Sequence, residues 1–172
     1  MTRYEMTECR RHHCGLMARR MRAADRAAMV AAGYDPHREI VHRFQESAYR
    51  RAWLIDGELA AVGGVSGTLA ASDGYIWMVV AQMATRHALA LARMTRGVLA
   101  EVSVTFRAVE SVMMAGDGRA VEFARFWGFS LPSRMRCACR GGGCSCGMRR
   151  AGNGRGGRRL GGGVGNQRLW CD

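Results

Sequence analysis

Hydrophobic positions recur along this chain at helical spacing first and at strand spacing next. Over residues 16–32, Leu16, Met17, Met21, Ala24, Ala28, Met29 and Ala32 fall near a period of 3.6, with Arg19, Arg20, Arg22 and Arg26 between them. That pattern predicts an amphipathic helix closed by Gly33. Asp35-Pro36 then supplies a capping side chain and a proline at the first helical position. Ile40, Val41, Phe44 and Ala48 form the buried stripe of this second helix. Residues 52–55 and 58–62 are two apolar runs joined by Asp56-Gly57, a dipeptide that accepts the positive φ angles of a tight hairpin turn. Gly63 and Gly64 extend the second run and mark a bulge or a close backbone approach. After a loop over 66–74, residues 75–80 are apolar throughout, as a central strand covered on both faces must be.

The second half returns to helical spacing. Leu89, Leu91, Met94, Val98, Leu99 and Val102 predict a long helix over 87–106, followed by a strand over 108–114. Asp117 caps a last helix over 118–127 that Gly128 closes. A strand–helix–strand passage needs a parallel crossover, so the class is α/β, a mixed sheet with flanking helices. The organisation read from these elements is an N-terminal extension over 1–15, one domain over 16–130, and a tail over 131–172. The tail is expected to be disordered or irregular, with no strand after Gly128-Phe129.

Charge changes the picture mainly in that tail. The chain carries +12 overall. Residues 1–130 hold 17 Arg against 13 acids, net +4, and residues 131–172 hold nine Arg against one acid, net +8. All 26 basic residues are Arg, which points to a GC-rich coding sequence. A Gly/Arg-rich tail can hold nucleic acid through phosphate charge alone. Its composition switches abruptly at about Ser130, as a GC-rich gene does when read out of frame. Cys137, Cys139, Cys144 and Cys146 make a compact thiol set, but their Cys-x-Cys spacing lacks the usual structural-zinc form, and no metal site is assigned. No run reaches the ~18 apolar residues of a membrane helix, and the charged N-terminus has no apolar leader. The expected setting is the cytoplasm.

The segment 117–129, with Asp117, Ala120 and the Gly128-Phe129 exit, resembles the last helix of the GNAT acetyltransferase fold. The element order before it is similar as well, so the resemblance covers most of residues 16–130. More narrowly, the chain is similar to GNAT-like proteins of tailed bacteriophages and prophages related to an internal virion protein. The residues that carry this are the segments 20–26 and 32–36, Asp56-Gly57-Glu58 with Gly63-Gly64-Val65, Ile76-Trp77, Arg86-His87 and 126–129.

The GNAT resemblance implies an acetyl-CoA pyrophosphate site where backbone N–H groups at a helix N-terminus face an anion. In this sequence the matching stretch is 81–90, and it contains no glycine. If acetyl-CoA binds, the resemblance assigns it Val80, Ala81, Arg86, His87 and Ala88. Many GNAT enzymes carry a tyrosine acid in the last helix; the matching position here is Ala124, which has no proton to give. Glu58, Asp73 and Glu110 are available as bases, with nothing to single one out, so no catalytic residue is assigned. His12, His13 and Cys14 read as surface residues and His87 as part of a first helical turn. Trp53, Trp77, Phe126 and Trp127 read as packing groups. The resulting expectation is a non-catalytic, virion-associated protein without a cofactor, working through contacts with other virion proteins. The alternatives are an acetyl-CoA-dependent N-acetyltransferase and a nucleic-acid binder acting through the tail.

Overall fold

The computed structural model describes residues 1–67, 73–114, 117–130, 138–140 and 143–151. Its centre is the hairpin that Asp56-Gly57 makes possible. β2 (Ser47–Ile55) and β3 (Glu58–Ser66) pair antiparallel across a turn in which Asp56 has φ 50° and Gly57 φ 79°. β4 (Asp73–Val80) adds antiparallel to β3, and β1 (Tyr4–Glu8) adds antiparallel to β2. β5 (Ala108–Met114) lies parallel to β4. β7 (Gly143–Ala151) pairs antiparallel with β5, and β6 (Ala138–Arg140) with β7. Among the described residues the strand order is β1-β2-β3-β4-β5-β7-β6 in one seven-stranded sheet.

Helices cover both faces. α1 (Arg11–Arg20), α2 (Ala23–Ala31) and α3 (Pro36–Glu46) precede the hairpin. A 3-10 turn over Gln82–His87 runs into α4 (Ala88–Thr105), and α5 (Gly118–Phe126) follows β5. The period-2 alternation of β4 divides the core. Tyr75, Trp77 and Val79 pack with Met17 and Ile40 on the α1–α3 side. Ile76 packs with Leu91, Val98, Phe106 and Trp127 on the α4–α5 side. Buried indole N–H groups must find acceptors: Trp77 Nε1 donates to Ser47 Oγ at 2.7 Å, and Trp127 Nε1 to the Ala92 carbonyl at 3.1 Å. Gly64 is required where β2 and β3 close up, since a Cβ there would stand 2.6 Å from the Tyr49 carbonyl oxygen.

Several expectations are corrected. Residues 1–15 are part of the domain: β1 belongs to the sheet, Cys14 is a core residue rather than a surface one, and Cys9 is buried with it. The helix expected over 16–32 is two helices. Between them Met21 bridges Ala81 and the Arg22 N–H reaches the Val80 carbonyl at 3.1 Å, so the backbone there serves β4 instead of a helix. The second helix stops at Glu46, leaving Ala48 exposed at the start of β2. Trp53, Trp77 and Trp127 are packed in the core, whereas Phe126 is half exposed. The domain does not end at 130, because β7 enters the sheet and Met148 is buried in its core. Cys137 and residues 152–172, with the Gly/Arg-rich stretch, lie outside the described residues. Cys139 and Cys144 are register partners in the β6–β7 pair.

Candidate functional site

β4 and β5 pair only from Asp73↔Ala108 to Tyr75↔Glu110. Beyond that point β5 continues against β7, through Met114↔Ser145, while the rest of β4 keeps β3 as its ladder partner. The two parallel strands therefore part at their C-terminal ends. Backbone polar groups alternate in direction along a strand. The Ala81 N–H reaches the Ala60 carbonyl at 2.8 Å, on the β3 side, so the backbone groups of Val80 and Met78 face the opposite edge. The Val80 carbonyl is taken by the Arg22 N–H. The Met78 N–H and C=O look into the gap.

A cavity of about 580 Å³ occupies this region. α2 and α3 wall one side through Met29 and Arg43, and α4 and α5 wall the other through Ala88, Leu91, Ala120 and Phe123. Its floor includes Trp77, Met78, Val79 and Val80 of β4.

Among the described residues three carboxylates line the cavity, and each is held by an arginine. Arg22 binds Asp25 through Nε at 2.8 Å and reaches Asp117 at 2.7 Å, joining the N-terminus of α2 to that of α5. Its guanidinium is pushed further up, first by the hydrogen bonds to Asp25 and then, against burial, by the charges of both acids. Burial pushes the Asp117 carboxyl up. The Ala120 N–H that it caps at 3.1 Å and the Arg22 guanidinium outweigh burial and hold it below the usual carboxylate range. Glu39 pairs with Arg43 at 2.7 Å, and Arg43 lies over the Tyr75 ring at 5.0 Å. The Tyr49 hydroxyl donates to Glu101, and burial followed by that carboxylate pushes the phenol up to about 12. Arg51 stacks on the same ring at 4.0 Å.

The residues singled out in the sequence divide here. Val80 and Ala88 line the cavity. Ala81 is buried in its bridge to Met21, and Arg86 points to solvent. His87 caps the start of α4 and turns toward the N-terminus, with Nδ1 3.2 Å from Tyr4 Oη. Of the available bases, none is in the cavity lining: Glu58 faces Arg20 at 3.7 Å, while Asp73 and Glu110 are bound by Arg149. Ala124 is wholly buried. His13 accepts the Arg10 N–H at 3.0 Å on Nδ1, and burial, then His12 and Arg10, lowers its pKa. Among the described residues no three His, Cys, Asp or Glu side chains converge as a metal site, and no helix is long and apolar enough to cross a membrane. The sequence reading missed Arg22, Asp25, Glu39 and Arg43. Only the i,i+3 spacing of Arg22 with Asp25 and the i,i+4 spacing of Glu39 with Arg43 signalled them locally.

No family model matches the chain, and no curated protein does. Solved structures do. The ribosomal-protein-S18-alanine N-acetyltransferase of Escherichia coli superposes with a TM-score of 0.67 at 13% identity, covering 92% of this chain and 99% of that one. YncA of Salmonella typhimurium, a putative acetyltransferase solved with its cofactor acetyl-CoA, gives 0.64 at 9% identity, over 86% and 93%. RimL, a ribosomal L7/L12 alpha-N-protein acetyltransferase solved with coenzyme A, gives 0.63 at 12% identity, over 86% and 93%. At these identities the likeness speaks for architecture, and the architecture of this chain is the GNAT fold.

Proposed function

We propose that the chain is an acetyl-CoA-dependent N-acetyltransferase whose cofactor arm lies in the gap between β4 and β5. The observation that carries this is the parting of the two strands after Tyr75↔Glu110, which leaves the Met78 backbone groups facing a large, mostly apolar cavity. An amide-bearing chain such as pantetheine fits that edge, because it offers both a donor and an acceptor to Met78. The 3-10 turn and the start of α4, with Thr85 and Ala88 on the cavity wall, supply N–H groups for phosphate. With no glycine in 81–90, these N–H groups and the exposed Arg86 take the place of a glycine cradle. When bound, acetyl-CoA supplies a thioester carbonyl that an amine can attack. The chain's own part is to hold that arm along β4 and exclude water with Leu91, Phe123 and Met29. Two solved acetyltransferases and one putative acetyltransferase of the same fold, two of the three holding acetyl-CoA or coenzyme A, support the reading.

Calorimetric titration of acetyl-CoA into the whole chain tests it, with Ala88→Glu in parallel. A glutamate in the first turn of α4 suits the helix dipole but repels phosphate. Saturable binding by the natural chain, weakened on the order of tenfold in Ala88→Glu by one like charge near the phosphates, is the expected result. No heat from a folded sample overturns the proposal. It would leave Ala124 and the glycine-free turn as marks of a phage- or prophage-derived GNAT-like protein that acts through virion-protein contacts.

A further inference from the structure

The helix α1 begins with an unusual pair. Arg10 is its N-cap residue. The His13 N–H donates to the Arg10 carbonyl at 2.9 Å, and the Arg10 N–H donates to His13 Nδ1 at 3.0 Å, closing the first turn over the preceding residue. The residue before the cap is then Cys9, and the fourth helical residue is Cys14. In helices these two positions commonly hold apolar side chains that pack on each other and fix the angle at which the chain enters. Here both are thiols. Cys9 is 2% exposed and Cys14 0%, in one cluster with Met17, Met21 and Ile40. The Cys9 Sγ donates to the Arg10 carbonyl at 3.8 Å, and both thiols are free.

We propose that Cys9 and Cys14 are an oxidisable dithiol site, closing to a disulfide that ties the end of β1 to the first turn of α1. The oxidant is a peroxide or a small-molecule disulfide. With a peroxide, the Cys14 sulfur attacks one oxygen and the O–O bond breaks, leaving a sulfenic acid while the departing hydroxide takes up a proton as water. The Cys9 sulfur then attacks the Cys14 sulfur, the S–O bond breaks, and a second water leaves with the Cys9 proton. Two thiols lose two electrons, and one peroxide is reduced to two waters. Cys14 is the natural first nucleophile. The neighbouring Cys9 thiol lowers its pKa against the opposing effect of burial, and Arg11 and Arg50 add to the lowering. The proton stays on Cys9, whose Sγ donates to the Arg10 carbonyl and whose pKa is raised by Cys14 and by burial. A bond between these positions replaces an apolar staple with a covalent one inside a cluster that already buries both side chains.

The sequence makes the test sharp. Arg3, Arg10, Arg11 and Arg19 place Cys9 in the tryptic peptide 4–10 and Cys14 in 12–19, each with a single cysteine. The whole folded chain is treated with hydrogen peroxide, its remaining thiols are alkylated in denaturant, and the digest is read by mass spectrometry. A linked 4–10/12–19 peptide is expected. It should vanish with dithiothreitol and be absent from Cys9→Ser and Cys14→Ser. Because both sulfurs are buried, a second sample is unfolded and refolded in a glutathione redox buffer, so that equilibrium and not access decides. There the linked form should melt several degrees above the reduced form, and Cys14→Ser should show no such shift. Recovery of both cysteines as alkylated thiols in the two samples, or linkage of either to the cysteines beyond residue 130, overturns the proposal. So does a linked form that melts below the reduced one.

Discussion

The sheet has two parts built in different ways. From β1 to β4 every strand is laddered to its neighbour along most of its length, and the β2–β3–β4 pairings join strands consecutive in the chain. From β5 onward the strands are also well laddered to one another, through seven register pairs from Ala108↔Ala151 to Met114↔Ser145. Between the two parts lie three pairs, Asp73↔Ala108 to Tyr75↔Glu110. A short hydrogen-bonded seam leaves backbone groups without a strand partner, and that is where a ligand can be taken in without dismantling the core. The β2–β3–β4 pairings rest on local contacts, whereas β1–β2 and β5–β7 depend on pairings distant in sequence, which are the slower to form.

Three substitutions probe this division. The largest effect is expected at Met148 on β7, 1% exposed and packed in the α4–α5 cluster. Met148→Ala should cost about 2–3 kcal/mol in urea unfolding, within the range for buried methionine truncation. An unchanged midpoint would mean that β7 is not a working part of the sheet. On the hairpin side, Ser47→Ala leaves the Trp77 indole N–H without its acceptor. The cost of a stranded buried donor is about 1–2 kcal/mol, and a neutral result would show that the β2–β4 face relaxes more easily than its packing suggests.

The smallest effect is expected at Asp117, whose ion pair with Arg22 spans the seam from the α2 side to α5. Asparagine keeps the cap, so Asp117→Asn removes the charge alone, at about 0.5–1 kcal/mol near neutral pH. The Asp117 carboxyl has a lower pKa folded than unfolded. Its contribution is therefore complete above the unfolded value of about 3.9 and fades as pH falls through the folded one. Stability measured from pH 6 down to 2 should drop less steeply in Asp117→Asn than in the natural chain. Parallel acid limbs would show that the pair does not join the two parts.

What could be read from residues alone was what short-range chemistry decides. Asp56-Gly57, Asp35-Pro36 and Asp117 mark a turn and two helix starts because backbone conformation and one capping oxygen suffice there. β1 escaped because it lies at an edge, its Glu5 and Glu8 spoiling any apolar alternation. β7 escaped because glycines, cysteines and arginines dominate its sequence, and Met148 is the one buried apolar side chain among its described ones. Its strand form is decided by β5, thirty-odd residues away. The break between α1 and α2 has the same origin: nothing local ends the helix at Met21, but the end of β4 claims its backbone. The gap at Met78 is the sum of such distant choices, so the cavity was not legible, although Val80 and Ala88 on its wall were reached through family resemblance.

The outer border of β1 bears on how this molecule meets others of its kind. An unpaired strand border invites a neighbour's backbone to add to it, the route to sticky association and fibrils. This one is five residues long, its ends are engaged, and its flank is charged. The Arg3 N–H and carbonyl are exchanged with Asp56 at 2.7 and 2.8 Å, Arg3 also pairs with Glu5, and Tyr4 reaches His87. An incoming strand would have to strip water from Glu5 and Glu8 to gain a few hydrogen bonds. Solubility at high concentration thus rests in part on the same polar residues that hid β1 from view.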